Sequence, residues 1–180
     1  MRPTVSSSEI VHENPWYEIR HDVLTWPNGK PGNYFVAEFP GASCVICIDQ
    51  NRILTVKQYR YAIDQDTIEL PMGSLRKDET PLEAAQRELQ EETGMTAASW
   101  KSLGHVFSLN GACKMPLHIF IAQNISKNNT KLDDSEHDLQ SQWTPIPEWE
   151  EMIRQGKIVD VESLAPWLLY LRHTGEEAVM

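Results

Sequence analysis

The 180-residue sequence lacks the features that mark several classes of protein. It has no run of 18 or more apolar residues, the length that a membrane-spanning helix needs. Residues 1–14 are polar and contain no apolar signal-peptide core. Lysine and arginine number 16 against 26 acidic residues, giving a net charge of −10 without any basic run. Because proteins that bind nucleic-acid backbones usually present a basic face, we expect no polymeric nucleic acid as partner. The missing apolar run leads us to expect no membrane partner.

Cysteine is also scarce. The three cysteines, Cys44, Cys47 and Cys113, do not have zinc-finger spacing. Cys44 and Cys47 form a C-x-x-C pattern that resembles a redox motif, but they lie inside the apolar run 42–48, which predicts core positions. Together with the absent signal peptide, this indicates a reduced, cytoplasmic setting.

What the sequence does contain is a dense group of carboxylates between Gly73 and Met95. Thr80 is a good N-cap, Pro81 suits the first helical position, and Glu83 completes a capping box. Gly94 can adopt the left-handed conformation that ends a helix. These signals predict a helix from Pro81 to Thr93.

On this helix, two neighbouring stripes differ in character. The packing stripe consists of Leu82, Ala85 and Leu89, and the acidic stripe consists of Glu88, Glu91 and Glu92. Like charges three or four residues apart each cost roughly 0.2–0.5 kcal/mol, so something must compensate. One interpretation is a site for a hard divalent cation, which prefers oxygen ligands. The other is a solvated acidic face with Arg87 as its counter-ion.

The loop at residues 70–74, LPMGS, leads into this helix through a proline and a glycine. The spacing of the segment is Gly73, five residues, Glu79, seven residues, Arg87-Glu88-Leu89, one residue, Glu91-Glu92, one residue, Gly94-Met95. It matches the Nudix box at every defined position, so the chain resembles a Nudix hydrolase. The resemblance implies an α/β/α sandwich with a mixed sheet that hydrolyses a nucleoside diphosphate linked to another group.

The resemblance also implies roles for the box residues. The implied metal ligands, for Mg²⁺ or alternatively Mn²⁺, are the Met72 carbonyl, Glu88, Glu91 and Glu92. Glu91 and Glu92 count among the catalytic groups, whereas Arg87 orients a carboxylate. Bound divalent metals neutralise the charge of a diphosphate and lower the pKa of water, which is the chemistry that this reaction needs.

Outside the box, residues 56–61 (VKQYRY) and 68–71 (IELP) resemble the ADP-ribose pyrophosphatase branch. The implied substrate-binding residues are Arg60, Glu69 and Tyr59, although Arg60 and Glu69 could equally form a structural ion pair. Glu136, in the acidic segment 133–138, is the implied general base, with a solvated loop as the alternative. Asn110 stands where the branch has a proline, which weakens the assignment to ADP-ribose.

The N-terminal part predicts a small separate element. Residues 1–14 are predicted to be partly disordered, and strands at 16–26 and 34–37 flank the turn signal at 27–32 to form a β-hairpin. We expect residues 1–40 to be a hairpin and dimerisation element, and residues 41–180 to be the Nudix domain. A homodimer follows from the resemblance, because the branch commonly exchanges this element between subunits.

Further along the chain, apolar runs predict a mixed α/β layer structure. The predicted strands are 43–49, 52–59, 67–70, 100–109, 117–122 and 139–144. Two more helices are predicted, one at 147–155 and one capped by Asp160 that packs through Leu164, Trp167, Leu168 and Leu171.

These observations lead to one functional hypothesis with alternatives. We expect hydrolysis of ADP-ribose to AMP and ribose 5-phosphate. GDP-mannose, another nucleotide sugar or a nucleoside triphosphate is the alternative substrate. A domain that binds a nucleotide as a sensor without catalysis is the alternative from a different functional class.

Overall fold

The computed structural model describes residues 1–127 and 139–175. Internal contacts divide the chain into two units. One comprises residues 1–41 and 107–116, and the other comprises residues 42–106 and 117–180. The inclusion of residues 107–116 in the first unit is a feature that the sequence did not indicate.

The first unit is a four-stranded sheet with the order β1-β2-β3-β9. Its strands are β1 (Thr4–Glu13), β2 (Glu18–Thr25), β3 (Pro31–Glu38) and β9 (Cys113–Lys114). The predicted hairpin is confirmed, because β2 and β3 pair antiparallel from Glu18↔Glu38 to Thr25↔Pro31. Its turn closes through two backbone hydrogen bonds, and Gly29 supplies the positive φ of 81°.

The prediction that residues 1–14 are partly disordered is wrong. Thr4–Glu13 forms β1, which pairs antiparallel with β2 over the length of both strands. Every side chain of β1 is exposed. The sequence of this strand therefore lacks the regular alternation of apolar and polar residues by which a half-buried strand is predicted. Backbone pairing with β2 replaces apolar burial as the source of order here.

The second unit is a seven-stranded mixed sheet. Its strands are β4 (Ala42–Asp49), β5 (Arg52–Arg60), β6 (Gln65–Glu69), β7 (Met72–Ser74), β8 (Met95–Phe107), β10 (Pro116–Lys127) and β11 (Gln140–Pro145). The order is β11-β5-β4-β10-β8, with β6 paired to β5 and β7 paired to β4. β4 and β10 run parallel, whereas β4 is antiparallel to both β5 and β7.

Among the described residues, three helices cover this sheet: α1 (Pro81–Thr93), α2 (Ile146–Arg154) and α3 (Val161–Thr174). Alternate residues of β4 face two different cores. Cys44 and Ile46 pack with side chains of α2 and α3, whereas Val45 and Cys47 pack with side chains of α1. The predicted α/β/α sandwich with a mixed sheet is therefore confirmed.

The caps of α1 are those that the sequence predicts. The Thr80 hydroxyl accepts from the Glu83 backbone N–H, the Glu83 carboxylate accepts from the Thr80 N–H, and Gly94 has a positive φ of 67°. The predicted packing stripe is correct for Ala85 and Leu89 but wrong for Leu82, which is 38% exposed.

The last helix confirms one local prediction and corrects another. The Asp160 side chain caps α3, as predicted. Trp167 and Leu171 are buried, but Leu168 is 49% exposed, so it is not part of the packing side. One residue beyond Trp167, it has already turned about 100° around the helix axis.

Both central cysteines are core residues, which confirms the interpretation against a redox motif. Cys44 and Cys47 have no exposed surface. Burial raises the pKa of the Cys44 thiol well above its ordinary value and that of Cys47 to about 12. Both thiols therefore stay protonated and unreactive near neutral pH. In the described part of the chain, no helix has the length and apolar character required to span a bilayer.

Candidate active site

Two carboxylates of α1 lie buried beside the turn that joins β6 to β7. Glu88 and Glu92, four residues apart on one helical face, are 6% and 3% exposed. The Met72 backbone N–H donates to Glu92 Oε2 at 3.1 Å. A Cβ on Gly73 would overlap the carboxylate of Glu88, so only glycine leaves room for that side chain.

Arg87 bridges three acidic side chains, Glu79, Glu88 and Glu91. Its Nε and Nη2 donate to Glu79, each at 2.8 Å, and Nη2 also donates to the Ser74 carbonyl at 2.9 Å. Its Nη1 donates to Glu88 at 2.6 Å and to Glu91 at 2.9 Å. All five donors of the guanidinium are thus engaged.

This pairing offsets the repulsion within the acidic stripe. The carboxylates raise the pKa of Arg87 above its already high ordinary value, and the hydrogen bonds from Arg87 are the main reason that the pKa of Glu79 is lowered. Both groups are therefore charged at neutral pH. Arg76, which sequence reasoning did not single out, adds a contact of 3.3 Å to Glu91 Oε2.

The oxygen donors of this site suit a hard cation, but their side chains are not arranged as a complete coordination shell. Carboxylate and carbonyl oxygens are the ligands that Mg²⁺ and Mn²⁺ prefer. Within residues 1–127 and 139–175, however, no three acidic, histidine or cysteine side chains are grouped ready to hold a metal ion. Glu88 and Glu91 instead turn towards Arg87, which already engages one oxygen of each carboxylate.

Arg60 and Glu69 form a two-pronged ion pair between the end of β5 and the end of β6. Arg60 Nε donates to Glu69 Oε1 at 2.8 Å, and Nη2 contacts Oε2. Thr67 Oγ1 donates to Glu69 Oε1 at 2.6 Å. Hydrogen bonding to Glu69 is the main reason that the pKa of Arg60 is raised, and the charge of Glu92 contributes to it. The structure therefore brings Arg60 and Glu69 within electrostatic reach of the acidic cluster.

Tyr59 projects from the opposite face of β5, because consecutive residues of a strand alternate sides. Its hydroxyl donates to Asp64 Oδ1 at 2.7 Å, and this hydrogen bond is the main reason that its pKa is raised. It lines a polar cavity of about 200 Å³ with Lys57 and Asp66. The structure thus does not bring Tyr59 together with Arg60, and Glu136 lies outside the described residues.

Sequence reasoning also missed Ser163, whose hydroxyl accepts a hydrogen bond from the Leu70 N–H at 2.9 Å. Asp160 appeared only as a helix cap, although it also accepts from the Ser163 hydroxyl. No local signal connects positions 93 residues apart. These contacts become visible only in the folded chain.

Comparison with known proteins shows which family this chain resembles in sequence and in fold. A NUDIX domain model matches residues 38–164, and a model of the nucleoside diphosphate sugar hydrolase N-terminal domain matches residues 4–37. An ADP-ribose pyrophosphatase of Mycobacterium tuberculosis is 30% identical over 162 residues, which cover 88% of this chain and 78% of that protein.

Two further proteins are similar over different extents. An ADP-ribose pyrophosphatase of Bacillus subtilis is 34% identical over 113 residues, and the match spans 61% of each chain, less than two thirds of that relative. A crystal structure of an ADP compounds hydrolase shares the fold, with a TM-score of 0.84 at 18% identity and 98% of both chains covered. The NUDIX model covers well over half of the sequence, and the chain therefore belongs to the Nudix family, whose hydrolases generally depend on divalent metal ions.

Proposed function

We propose that this chain is a metal-dependent pyrophosphohydrolase that converts ADP-ribose to AMP and ribose 5-phosphate. One observation carries the proposal: the buried pair Glu88 and Glu92 lies against the Met72–Gly73 segment, with Arg87 holding the neighbouring acids. The names of the two pyrophosphatase relatives and the description of the N-terminal family model favour a nucleoside diphosphate sugar as substrate.

In this proposal the metal is Mg²⁺, or Mn²⁺ in its place, and its ligands are the Met72 carbonyl, Glu88, Glu91 and Glu92. When bound, the metal neutralises diphosphate charge and lowers the pKa of a water molecule. Arg87 holds the acidic side chains of Glu88 and Glu91 close together and offsets their mutual repulsion, which would otherwise destabilise the helix. Glu91 and Glu92 are the proposed catalytic residues of the cluster.

Arg60 is the proposed diphosphate-binding residue. A guanidinium presents paired donors that match phosphate oxygens, and the Arg60 side chain is 41% exposed while its partner Glu69 is buried. Glu69 accordingly orients the Arg60 guanidinium from the buried side and leaves its solvent-exposed side open to the substrate. Tyr59 stays a proposed substrate contact, although it faces the other side of β5 from Arg60. Glu136 stays the proposed general base on the family resemblance alone.

A substrate panel tests the proposal. Purified protein with Mg²⁺ is incubated with ADP-ribose, GDP-mannose, a nucleoside triphosphate and AMP as a control, and products are separated by ion-exchange chromatography. We expect AMP and ribose 5-phosphate to form fastest from ADP-ribose. Faster cleavage of another compound would identify that compound as the substrate instead of ADP-ribose. Tight binding without turnover in Mg²⁺ or Mn²⁺ would favour the non-catalytic sensor.

We also propose a cytoplasmic homodimer. The strands of the first unit expose Val5, Ile10 and Phe35, each about half accessible, as a surface that a second copy can cover. Cys44 and Cys47 are buried thiols that form no disulfide, as in proteins of a reducing compartment. Cell fractionation tests the location, and the mass in solution tests the dimer.

A further inference from the structure

The turn at residues 70–72 is tied to three different elements of the second unit. The Leu70 N–H donates to Ser163 Oγ in α3 at 2.9 Å, and the Pro71 carbonyl accepts from the Val45 N–H in β4 at 2.8 Å. The Met72 N–H donates to Glu92 Oε2 in α1. The turn is therefore held by three elements, and Met72 also pairs with Cys44 in the β4–β7 ladder. The anchors of Leu70 and Pro71 both come from outside the Nudix box.

Ser163 is fully buried in the first turn of α3, and its hydroxyl is held from both sides. Its Oγ donates to Asp160 Oδ2 at 2.7 Å and accepts from Leu70. A hydroxyl has a single hydrogen, so directing it at Asp160 turns a lone pair towards the Leu70 N–H. Asp160 Oδ1 accepts from the Glu162 N–H at 3.0 Å, which fixes the carboxylate as the cap of the helix.

We propose that Ser163, oriented by Asp160, is a positioning residue that sets the place of the Met72 carbonyl and of Glu92 for metal binding. This inference rests on the proposed function. Ser163 does not contact a predicted ligand directly. It acts through the Leu70 backbone, two residues before Met72, by keeping the turn at a fixed distance from α3.

The electrostatics of the region agree with this assignment. Burial raises the pKa of Asp160, the charge of Glu69 raises it further, and Arg60 lowers it, so the carboxylate is within electrostatic reach of the proposed diphosphate-binding pair. Hydrogen bonds from Ser163 and from the Glu162 backbone favour the ionised form. Asp160 therefore links the start of α3 both to the turn and to the Arg60–Glu69 pair.

The test compares Ser163→Ala with a control of similar structural cost. Ser163→Ala leaves the Leu70 N–H buried without its acceptor, and the turn is expected to shift. Leu171→Ala removes a buried side chain from the same helix and the same core, but it deletes none of the hydrogen bonds that hold the turn. It therefore lowers the melting temperature and should leave those hydrogen bonds intact. Asp160→Asn is a second variant, because asparagine still caps a helix but no longer accepts hydrogen bonds through both side-chain atoms.

Two readouts separate positioning from stability. Mn²⁺ binding without substrate is measured by electron paramagnetic resonance, and kcat and KM for ADP-ribose are measured in Mg²⁺. Residues that orient metal ligands typically contribute roughly 10–100-fold to metal affinity or activity. Ser163→Ala should therefore lower both the Mn²⁺ affinity and kcat by at least about 10-fold, with a nearly unchanged KM. Asp160→Asn should show a smaller loss in the same direction, and Leu171→Ala should show none.

The outcomes distinguish this inference from the proposed function. Wild-type values of Mn²⁺ affinity and kcat in both Ser163→Ala and Asp160→Asn would overturn the positioning role while leaving the hydrolase intact. An equal loss in Leu171→Ala would overturn it as well, by showing that destabilised α3 alone explains the effect. A wild-type protein without turnover of any nucleotide would instead refute the proposed function.

Discussion

The guanidinium of Arg87 donates to three carboxylates and to one backbone carbonyl. Its positive charge offsets the repulsion between the carboxylates of α1. The two interpretations that the sequence left open, a cation site and a solvated face with Arg87 as counter-ion, are therefore not exclusive. In the structure Arg87 is the counter-ion, while Glu88 and Glu92 are buried rather than solvated. A metal ion would replace part of the charge compensation that Arg87 now supplies.

The close approach of Gly73 to Glu88 gives a sharp test at the residue scale. In Gly73→Ala the new methyl group overlaps the Glu88 carboxylate and must displace it. A misplacement of about 1 Å can cost roughly 100-fold, and we expect kcat to fall by about that factor while the circular dichroism spectrum is kept. Gly111→Ala is the matched control, because a Cβ there meets nothing within 4 Å. Wild-type kcat in Gly73→Ala would contradict the proposed role of Glu88.

Arg60→Lys separates substrate binding from a structural ion pair. Lysine keeps the positive charge but loses the planar fork that matches two oxygens. We expect KM for ADP-ribose to rise roughly 10-fold, the lower end of what a charged hydrogen bond contributes. Lys57→Met is the control, since Lys57 pairs with Asp66 at 2.9 Å on the other face of the same strand. An unchanged KM with a lowered melting temperature would show that Arg60 is only structural.

At the scale of elements, local signals were predictable and distant partners were not. The bounds of α1 followed from Thr80, Pro81, Glu83 and Gly94, because a helix cap involves residues within one turn. β1 was missed, since its order depends on pairing with β2 rather than on its own composition. The contact between Ser163 and Leu70 was invisible for the same reason, as it joins elements 93 residues apart.

The junction of β1 and β2 contains a pH-sensitive contact. Ser8 donates to Asp22 at 2.6 Å and Arg20 donates at 3.0 Å, and these hydrogen bonds lower the pKa of Asp22 from 3.8. A carboxylate whose folded pKa lies below its unfolded pKa stabilises the fold at pH values above the unfolded pKa. That stabilisation is lost as the pH falls through the folded pKa.

Asp22→Asn should therefore be less stable than the wild type at neutral pH, and the difference should shrink as the pH falls below 3.8. Hydrogen–deuterium exchange of the β1 and β2 amides, measured across this range, reports on the strands directly. A difference that stays constant with pH would show that the charge of Asp22 does not stabilise the pairing.

At the scale of the whole molecule, the exposed apolar side chains of the first unit support association. Multi-angle light scattering should give twice the monomer mass of 20.6 kDa. A polar substitution such as Ile10→Glu, at a side chain that is 48% exposed, should shift the mass towards the monomer without loss of the β-sheet signal. A monomeric wild-type protein would contradict the proposed dimer, but not the hydrolase.

Buried carboxylates of α1 are proposed to make this Nudix chain a metal-dependent hydrolase of ADP-ribose. The most direct test is the rate of AMP release from ADP-ribose in Mg²⁺ by the wild type, Glu92→Gln and Glu83→Gln. Glutamine at position 92 can still accept the Met72 hydrogen bond, so the fold is kept while the negative charge is lost. Glu83→Gln removes the same charge from the same helix, and glutamine preserves its capping box.

We predict AMP release by the wild type and a nearly equal rate for Glu83→Gln. The rate for Glu92→Gln should be lower by roughly 100-fold or more, as expected when a charge that stabilises the transition state is removed. Equal rates for Glu92→Gln and the wild type would refute the role of Glu92, and no AMP from the wild type would refute ADP-ribose hydrolysis.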